Sequence, residues 1–580
     1  MNSTFATKLK ALLFVLAAAG AVWAWHTHRS WVIAAVGVLA ASTAAWWFRR
    51  SSSRSTVHRW GTHARRKRGV ASPLDIWRFS GAHAMRAKAG TVRPSMAGMG
   101  TLERARVPVS SVAVLLCRVG AQHIWSSIED VVLTFGGPRT GKSGWLAGRI
   151  IDAPGAVLVT STRIDLHVVT SLLRAQRGPV FIFNAVGLGK LASTVTFDPL
   201  TGCADPVTAA ERATDLLAAS GTGVSGDRAY WDQQARRVLS ALLHAAALGE
   251  LSMRDVGRWV ASPTESKGQI LRLLRRSPEP SYVQDAAQFL DTNDRTRSSI
   301  TSTIMPALGW LTSATAWAAT TGGTPLDVPS LLANRGTVYL LGAEEAHVAP
   351  LVTALTGHIA REARRLAAEQ PGGRLDPPLT LCLDEAALIS PVPLDSWTSD
   401  MGGRGVSIIA AFQSRAQLIA RWGITGAATI LNNAGSIMVF GGTRDRDDLN
   451  YWSGLAGERD EPLVTRDGHG AVTSTTVRKT EVISPARFAS LPAGKVVAFR
   501  RGMPPVIGVV QMAWNRRDVK QATRAARRRA AIEATAAYDT TDVLPPPPPV
   551  RATAQRVGEP EAGDFDWARA AREMGGGDDA

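Results

Sequence analysis

Gly136-Gly137-Pro138-Arg139-Thr140-Gly141-Lys142-Ser143 is the stretch of sequence that decides the fold. It fits the pattern G-x-x-x-x-G-K-[ST] and lies between an apolar run at residues 131–135 and a helix-like run at residues 145–151. This order forms a phosphate cradle, because glycines let backbone N–H groups turn inward and the helix N-terminus adds its positive dipole end. All eight residues are therefore predicted to bind a nucleoside triphosphate, with Lys142 reaching the β- and γ-phosphates and Ser143 holding Mg²⁺.

Outward from the loop, short apolar runs alternate with helical segments. The runs lie at residues 156–160, 180–183, 337–341, 379–383, 406–410 and 436–440. Between about residues 205 and 320 the apolar residues instead recur at helical spacing. We therefore predict an α/β fold, with a mostly parallel sheet covered on both faces and a largely helical insertion domain. A last pair of runs, at residues 495–499 and 506–510, is predicted to form an antiparallel edge.

Two acids follow the run at residues 379–383. In a P-loop ATPase, the strand that ends in such a pair completes the site: Asp384 is predicted to bind Mg²⁺, and Glu385 to polarise the attacking water. Two acids at a strand end are common by themselves, so the phosphate loop is what gives them this interpretation. The next strand is followed by Gln413, which is placed to sense the γ-phosphate. Arg404 is predicted to neutralise transition-state charge, in cis or across a subunit boundary, or else to be a surface arginine in a glycine-rich turn.

Composition limits the class of protein. A chain of 580 residues is long enough for two or three domains, and 45% hydrophobic with 20% charged residues is typical of a globular protein. Cys117, Cys203 and Cys382 are too widely separated for a disulfide framework or a zinc site, and Cys382 is predicted to be a small core residue. The net charge of +18 favours a polyanionic partner, either nucleic acid or an anionic membrane surface.

Two apolar segments, at about residues 12–25 and 31–48, precede the loop and are separated by only five residues. Tryptophans lie at the segment ends, and basic residues crowd the chain just after the second segment. The basic residues are Arg49, Arg50, Arg54, Arg59, Arg65, Arg66, Lys67 and Arg68. The pattern predicts a transmembrane hairpin with both chain ends in the cytoplasm. A cleaved signal peptide is the alternative, since Lys8 and Lys10 precede the first segment.

The chain resembles the TraG/TraD-type coupling ATPases of conjugation and type IV secretion. Beside the phosphate loop and the acids, the resemblance rests on several motifs. They are Tyr230-Trp231 with Ala235, residues 295–300, Gly403-Arg404-Gly405 leading to residues 413–418, residues 441–445 with 455–457, and residues 491–494. The resemblance implies a RecA-like nucleotide-binding domain, an all-α domain, and a hexameric ring. One departure is the five-residue loop between the apolar segments, since several family members have a larger periplasmic segment.

The activity implied by this resemblance is ATP hydrolysis that drives single-stranded DNA with its bound relaxase into the export channel. The implied cofactors are ATP and Mg²⁺. The implied partners are the relaxosome, type IV secretion channel components, the anionic inner membrane and further copies of the chain in a homo-hexamer. We therefore expect a multi-pass protein of the cell inner (cytoplasmic) membrane, with the ATPase domain in the cytoplasm.

The end of the chain differs in composition. An Ala-rich basic helix is predicted at residues 513–540, followed by a Pro-rich disordered tail at 541–580 in which Phe565 and Trp567 could dock a partner. The other predicted parts are a transmembrane hairpin at 1–50, a basic connecting region at 51–130, the RecA-like domain at 131–204 and 321–512, and the insertion domain at 205–320.

Two other functions stay open. A double-stranded-DNA translocase of the chromosome-segregation kind would share the RecA-like core, but it would normally add a small winged-helix DNA reader where this chain has a Pro-rich tail. A membrane adaptor with a vestigial nucleotide site is the non-enzyme alternative. The intact Lys142, Ser143, Asp384 and Glu385 argue against the adaptor.

Overall fold

The computed structural model describes residue 42 and residues 69–220, 226–342, 347–466 and 472–541. These residues fall into two units, one ending at Thr523 and one beginning at Arg524, and the second unit contains only the last part of the final helix. Apart from Ser42, the predicted transmembrane hairpin lies outside the described residues, as does the tail with Phe565 and Trp567.

Thirteen strands occur in the described residues. They are β1 (Ala113–Val119), β2 (Gln122–Ser127), β3 (Val132–Phe135), β4 (Val157–Ser161), β5 (Val180–Asn184), β6 (Thr337–Leu341), β7 (Leu379–Leu383), β8 (Val406–Phe412), β9 (Ser436–Phe440), β10 (Glu458–Arg466), β11 (Val472–Glu481), β12 (Lys495–Arg500) and β13 (Met503–Val509). Eleven of them form one sheet in the order β2-β1-β13-β12-β9-β3-β8-β7-β4-β6-β5, and β10 and β11 form a separate hairpin.

The α-helices of the described residues lie before, between and after these strands. They are α1 (Pro73–Asp75), α2 (Ala82–Ala87), α3 (Ala89–Val92), α4 (Thr101–Arg106), α5 (Lys142–Asp152), α6 (Asp165–Arg174), α7 (Pro206–Ser220), α8 (Gly226–Leu248), α9 (Met253–Ala261), α10 (Pro263–Leu274), α11 (Ser281–Asp291), α12 (Asp294–Ile304), α13 (Ala314–Ala318), α14 (Val328–Ala333), α15 (Ala349–Glu369), α16 (Ala386–Ile389), α17 (Leu394–Asp400), α18 (Arg415–Asn433), α19 (Arg446–Ala456), α20 (Pro485–Ala489) and α21 (Arg517–Thr541).

The sheet has a parallel part and an antiparallel part. The seven neighbouring strands from β9 to β5 are all parallel, whereas β12, β13, β1 and β2 continue the sheet with antiparallel pairs. Every residue of β3, β4, β6, β7, β8 and β9 is buried, which explains why these strands read as continuous apolar runs. The predicted α/β fold with a mostly parallel sheet is therefore confirmed.

One detail of the predicted sheet is corrected. β12 and β13 are antiparallel, as expected, but they do not form the edge of the sheet, because Val509 of β13 pairs with Arg118 of β1. The strands β1 and β2 come from the connecting region, where no strand was predicted. The sheet is consequently two strands wider on this side than the sequence indicated.

Eight helices of the described residues, α7 to α14, lie between β5 and β6, and their buried side chains belong to the same hydrophobic core as side chains of the parallel strands. Trp259, Phe289 and Trp310 are buried in it. A buried ion pair joins α7 to α15 of the sheet-bearing part, where Arg361 Nη2 donates to Asp215 Oδ1 at 2.7 Å. The limits predicted for this insertion domain and for the other domains stay predictions.

The predicted localisation is corrected. Within the described residues no helix combines the length and the apolar character that crossing a membrane requires. The longest helices, α8, α15 and α21, have enough residues, but each carries several charged side chains. This finding contradicts a multi-pass protein of the inner membrane.

Candidate functional site

The predicted phosphate loop joins β3 to α5 at the carboxyl edge of the parallel strands. Its start is held by its neighbours, since the Gly136 N–H donates to Phe412 O and the Gly137 N–H donates to Gly441 O, both at 3.3 Å. Gly141 has φ +107°, a left-handed conformation that residues with a Cβ avoid. The loop therefore adopts a curled conformation that depends on its glycines.

Lys142 begins α5 and folds back over the loop. The residue is only 7% exposed, and its Nζ donates to the carbonyl oxygens of Gly136 and Gly137. Burial lowers the pKa of Lys142, while the charges of Glu385 and Asp384 act in the opposite direction. The ammonium group thus lies inside the cradle, where it can exchange loop carbonyls for phosphate oxygens.

Asp384 directly follows β7 and lies beside the start of α5. The Ser143 hydroxyl donates to Asp384 Oδ2 at 3.3 Å, while Asp384 Oδ1 is buried and has no hydrogen-bond partner within the described residues. Burial, followed by the neighbouring charge of Glu385, raises the pKa of Asp384 to about 7. A hydroxyl and a carboxylate with a free buried oxygen suit a hard divalent cation. The residues present therefore fit Mg²⁺.

Glu385 and Gln413 come from adjacent strands and meet at the same edge. Gln413 Nε2 donates to Glu385 Oε2 at 3.2 Å, and Glu385 has φ +51°. A non-glycine residue in this left-handed region stores strain, and such strain is concentrated at functional sites. β8 lies between β3 and β7, with Phe135 paired to Phe412, so the sheet itself brings the loop, Gln413 and the acids together.

Arg404 is not brought to this edge. It ends the 3₁₀ turn Met401–Arg404 that precedes β8, whereas Gln413 follows β8. The seven residues of β8 separate the two ends by about 20 Å. Arg404 Nε lies 3.5 Å from Asp400 Oδ1, and its side chain is partly exposed. The structure therefore places Arg404 out of reach of the phosphate loop of its own chain.

Several residues that contact the loop were not predicted from sequence. Gly442 lies so close to Gly137 that a Cβ on Gly137 would approach Gly442 O to 3.0 Å. Met512 and Trp514 lie against Gly141 and Gly144. Gly441-Gly442 was visible as a motif, but no local signal marks Met512 or Trp514, because their position depends on the return of the chain after β13.

The fold is an α/β core of the P-loop kind, with the phosphate loop between β3 and α5 and two acids directly after β7. Residues 378–493 match the family described as the TraM recognition site of TraD and TraG. This segment contains Asp384, Glu385 and Gln413. The resemblance to TraG/TraD-type coupling proteins is thereby confirmed.

Solved structures of the plasmid coupling protein TrwB share this fold. The unbound form of the bacterial conjugative coupling protein TrwBdeltaN70 superposes with a TM-score of 0.54 at 17% identity, over 69% of this chain and 89% of that chain. TrwB in complex with a non-hydrolysable GTP analogue and TrwB in complex with a non-hydrolysable ATP analogue each give 0.51 at 17% identity, over 66% of this chain and 86% of the other. No curated protein matches the chain.

Proposed function

We propose that this chain binds ATP with Mg²⁺ and hydrolyses it. Lys142 binds the β- and γ-phosphates, and the Ser143 hydroxyl with the Asp384 carboxylate holds the cation. When bound, the cation neutralises charge on the β- and γ-phosphates. The unpartnered, buried Oδ1 of Asp384 supports this assignment. TrwB, which shares the fold, was solved with a non-hydrolysable ATP analogue, in agreement with these cofactors.

Glu385 and Gln413 supply the chemistry of the hydrolysis step. Glu385 accepts a proton from the attacking water, and such general-base catalysis contributes about 10²- to 10⁴-fold to a rate. The Gln413 amide, 3.2 Å from Glu385 Oε2, orients that carboxylate and senses the γ-phosphate. Arg404 is too far from the loop of its own chain to act there, so any role in neutralising transition-state charge belongs to the site of a neighbouring subunit; otherwise it is the surface arginine that pairs with Asp400.

The hydrolysis drives transfer of single-stranded DNA with its relaxase into a type IV secretion channel, and the working unit is a homo-hexamer. One observation carries this proposal: the segment that matches the TraD and TraG family is also the segment that places Asp384, Glu385 and Gln413 beside the phosphate loop. The description of that family also indicates the partner, and we propose that a relaxosome protein docks on residues 378–493.

Two variants of the full chain test the enzymatic part. Glu385→Gln should bind ATP with the affinity of the wild type but hydrolyse it at least about 100-fold more slowly, because the amide is nearly isosteric and a poor base. Lys142→Ala should lose binding, because it removes the charge that grips the phosphates. Both are measured by equilibrium ATP binding and by phosphate release.

Glu265→Gln is the matched control, since Glu265 is an exposed acid in the first turn of α10, in the helical insertion. It should bind and hydrolyse ATP as the wild type does. If Glu385→Gln hydrolysed ATP at the wild-type rate, a residue other than Glu385 would have to polarise the attacking water.

A further inference from the structure

After its last strand the chain returns to the phosphate loop. Residues 510–516 follow β13 and lie along α5, held at both ends. At one end, Gly494 accepts a hydrogen bond from the first N–H of this segment (3.0 Å) and donates its own N–H to Thr140 O (3.2 Å). At the other end, Arg516 Nη1 donates to Asp152 Oδ1 at 2.8 Å. The segment is therefore fixed relative to both the loop and the helix.

Two side chains of this segment lie on glycines of the loop and helix. A Cβ built on Gly141 would meet Met512, and a Cβ built on Gly144 would meet the ring of Trp514, whose Cζ3 atom would be 2.5 Å away. Glycine at position 144 is thus what lets an indole lie directly against the first turn of α5. The two side chains and the two glycines form one continuous surface beside the loop.

Trp514 is unlike a core tryptophan. It is 49% exposed, although its neighbour Ala513 is fully buried and the short 3₁₀ turn Ala513–Asn515 fixes the backbone. The indole therefore presents a broad apolar surface to solvent from a rigid position. An aromatic side chain held in this way is ready to contact a ligand, since little conformational entropy is lost when the ligand binds.

The direction in which a nucleotide lies in the loop brings its base to this surface. Lys142 grips the β- and γ-phosphates, so the α-phosphate lies further along, at the first turn of α5. The nucleoside must then leave the loop on the side of Ser143 and Gly144. Trp514 and Met512 cover that side.

We infer that Trp514, flanked by Met512, is the stacking platform for the nucleobase of the bound nucleotide. Base–aromatic stacking and sulfur–aromatic contacts are the interactions that these two side chains offer. The inference rests on the proposed ATP-binding function and adds a base-binding subsite to it. Because every base has an aromatic face, the platform holds ATP and GTP alike.

Binding of Mg²⁺·ATP, Mg²⁺·GTP and Mg²⁺·tripolyphosphate to the full chain tests this subsite. Trp514→Ala should weaken binding of both nucleotides about 5- to 100-fold, while tripolyphosphate, which has no base, binds as it does to the wild type. Trp514→Phe should restore most of the nucleotide affinity. In turnover, Trp514→Ala should raise KM and leave kcat unchanged, the signature of lost uniform binding.

Trp77→Ala is the matched control, because Trp77 is 54% exposed and lies before β1, away from the loop in sequence. It should bind all three ligands as the wild type does. Unchanged nucleotide affinity in Trp514→Ala, or an equal loss of nucleotide and tripolyphosphate, would overturn the inference. Failure of the wild type to bind tripolyphosphate and ATP would instead overturn the proposed function, and the subsite with it.

Discussion

The position of each side chain relative to its strand decides what it can do in this molecule. Asp384 and Gln413 come directly after β7 and β8: Asp384 accepts a hydrogen bond from Ser143 of the phosphate loop, and Gln413 donates one to Glu385 beside it. Arg404 precedes β8 and pairs with Asp400 instead. Because parallel strands all point the same way, residues that follow them share one edge of the sheet and residues that precede them share the other.

The reactivity of the three cysteines is a test of the burial of individual residues. All are buried, and burial raises the pKa of Cys117 and Cys382 to about 12 and that of Cys203 to about 11. Thiols with a raised pKa stay protonated at pH 8, and the protonated form is not the nucleophile. We expect a thiol reagent such as DTNB to modify none of them in the native protein and all three after unfolding in guanidinium. Rapid modification of any cysteine under native conditions would contradict its burial.

The positions of the two acids and Gln413 at the ends of strands were predictable because the signal is local. Each is a polar residue directly after an apolar run, in a chain that also contains a recognisable phosphate loop. The burial of Cys382 was predictable for the same reason, since it lies within such a run. Met512 and Trp514 were not, because their contact with Gly141 and Gly144 joins residues about 370 positions apart. Arg404 does not reach the phosphate loop because it precedes β8, whereas the loop lies at the edge where β8 ends. The sequence pattern indicated the direction of this strand but not the distance between its two ends.

At the scale of elements, the parallel part of the sheet could be predicted and the rest only in part. A strand that is buried on both faces has a nearly continuous apolar sequence. β7 and β9 are buried at every residue and have such sequences. The strands β10 and β11 have no such pattern, because their pairing is only with each other and the side chains of residues 474–479 are exposed. Without a buried face there is no apolar alternation to detect.

The hairpin of β10 and β11 can therefore be shortened. Replacing residues 463–476 by Asn-Gly, so that a two-residue turn joins Pro462 to Val477, should leave ATP affinity unchanged and the Tm within a few degrees. The reason is that the removed pairs lie outside the large sheet. Titration with ATP and a thermal melt check both statements.

Ile483→Ala is the control for that change, since Ile483 follows β11 and is fully buried. It should cost about 2–5 kcal/mol of unfolding free energy. Loss of ATP binding in the shortened chain would show that the outer hairpin contributes to the nucleotide site.

At the scale of the whole molecule, the net charge agrees with the proposed motor that acts on nucleic acid. A net charge of +18 favours binding to a polyanion, and the affinity should fall steeply with salt because counterions are released when phosphates are neutralised. Lys142, Ser143, Asp384 and Glu385 are all present, the Ser143 hydroxyl donates to Asp384, and the charges of both acids act on Lys142, which argues against a vestigial nucleotide site. Hydrolysis that responds to DNA is what separates a motor from an adaptor.

The most direct test of the central claim is the rate of ATP hydrolysis by the full chain with and without DNA. We predict that single-stranded DNA stimulates hydrolysis, that the stimulation falls as salt is raised, and that Glu385→Gln abolishes the stimulated rate while DNA still binds. Stimulation by double-stranded DNA alone would favour the double-stranded-DNA translocase. A rate that is the same with single-stranded DNA, double-stranded DNA and no DNA would contradict a DNA-transferring ATPase.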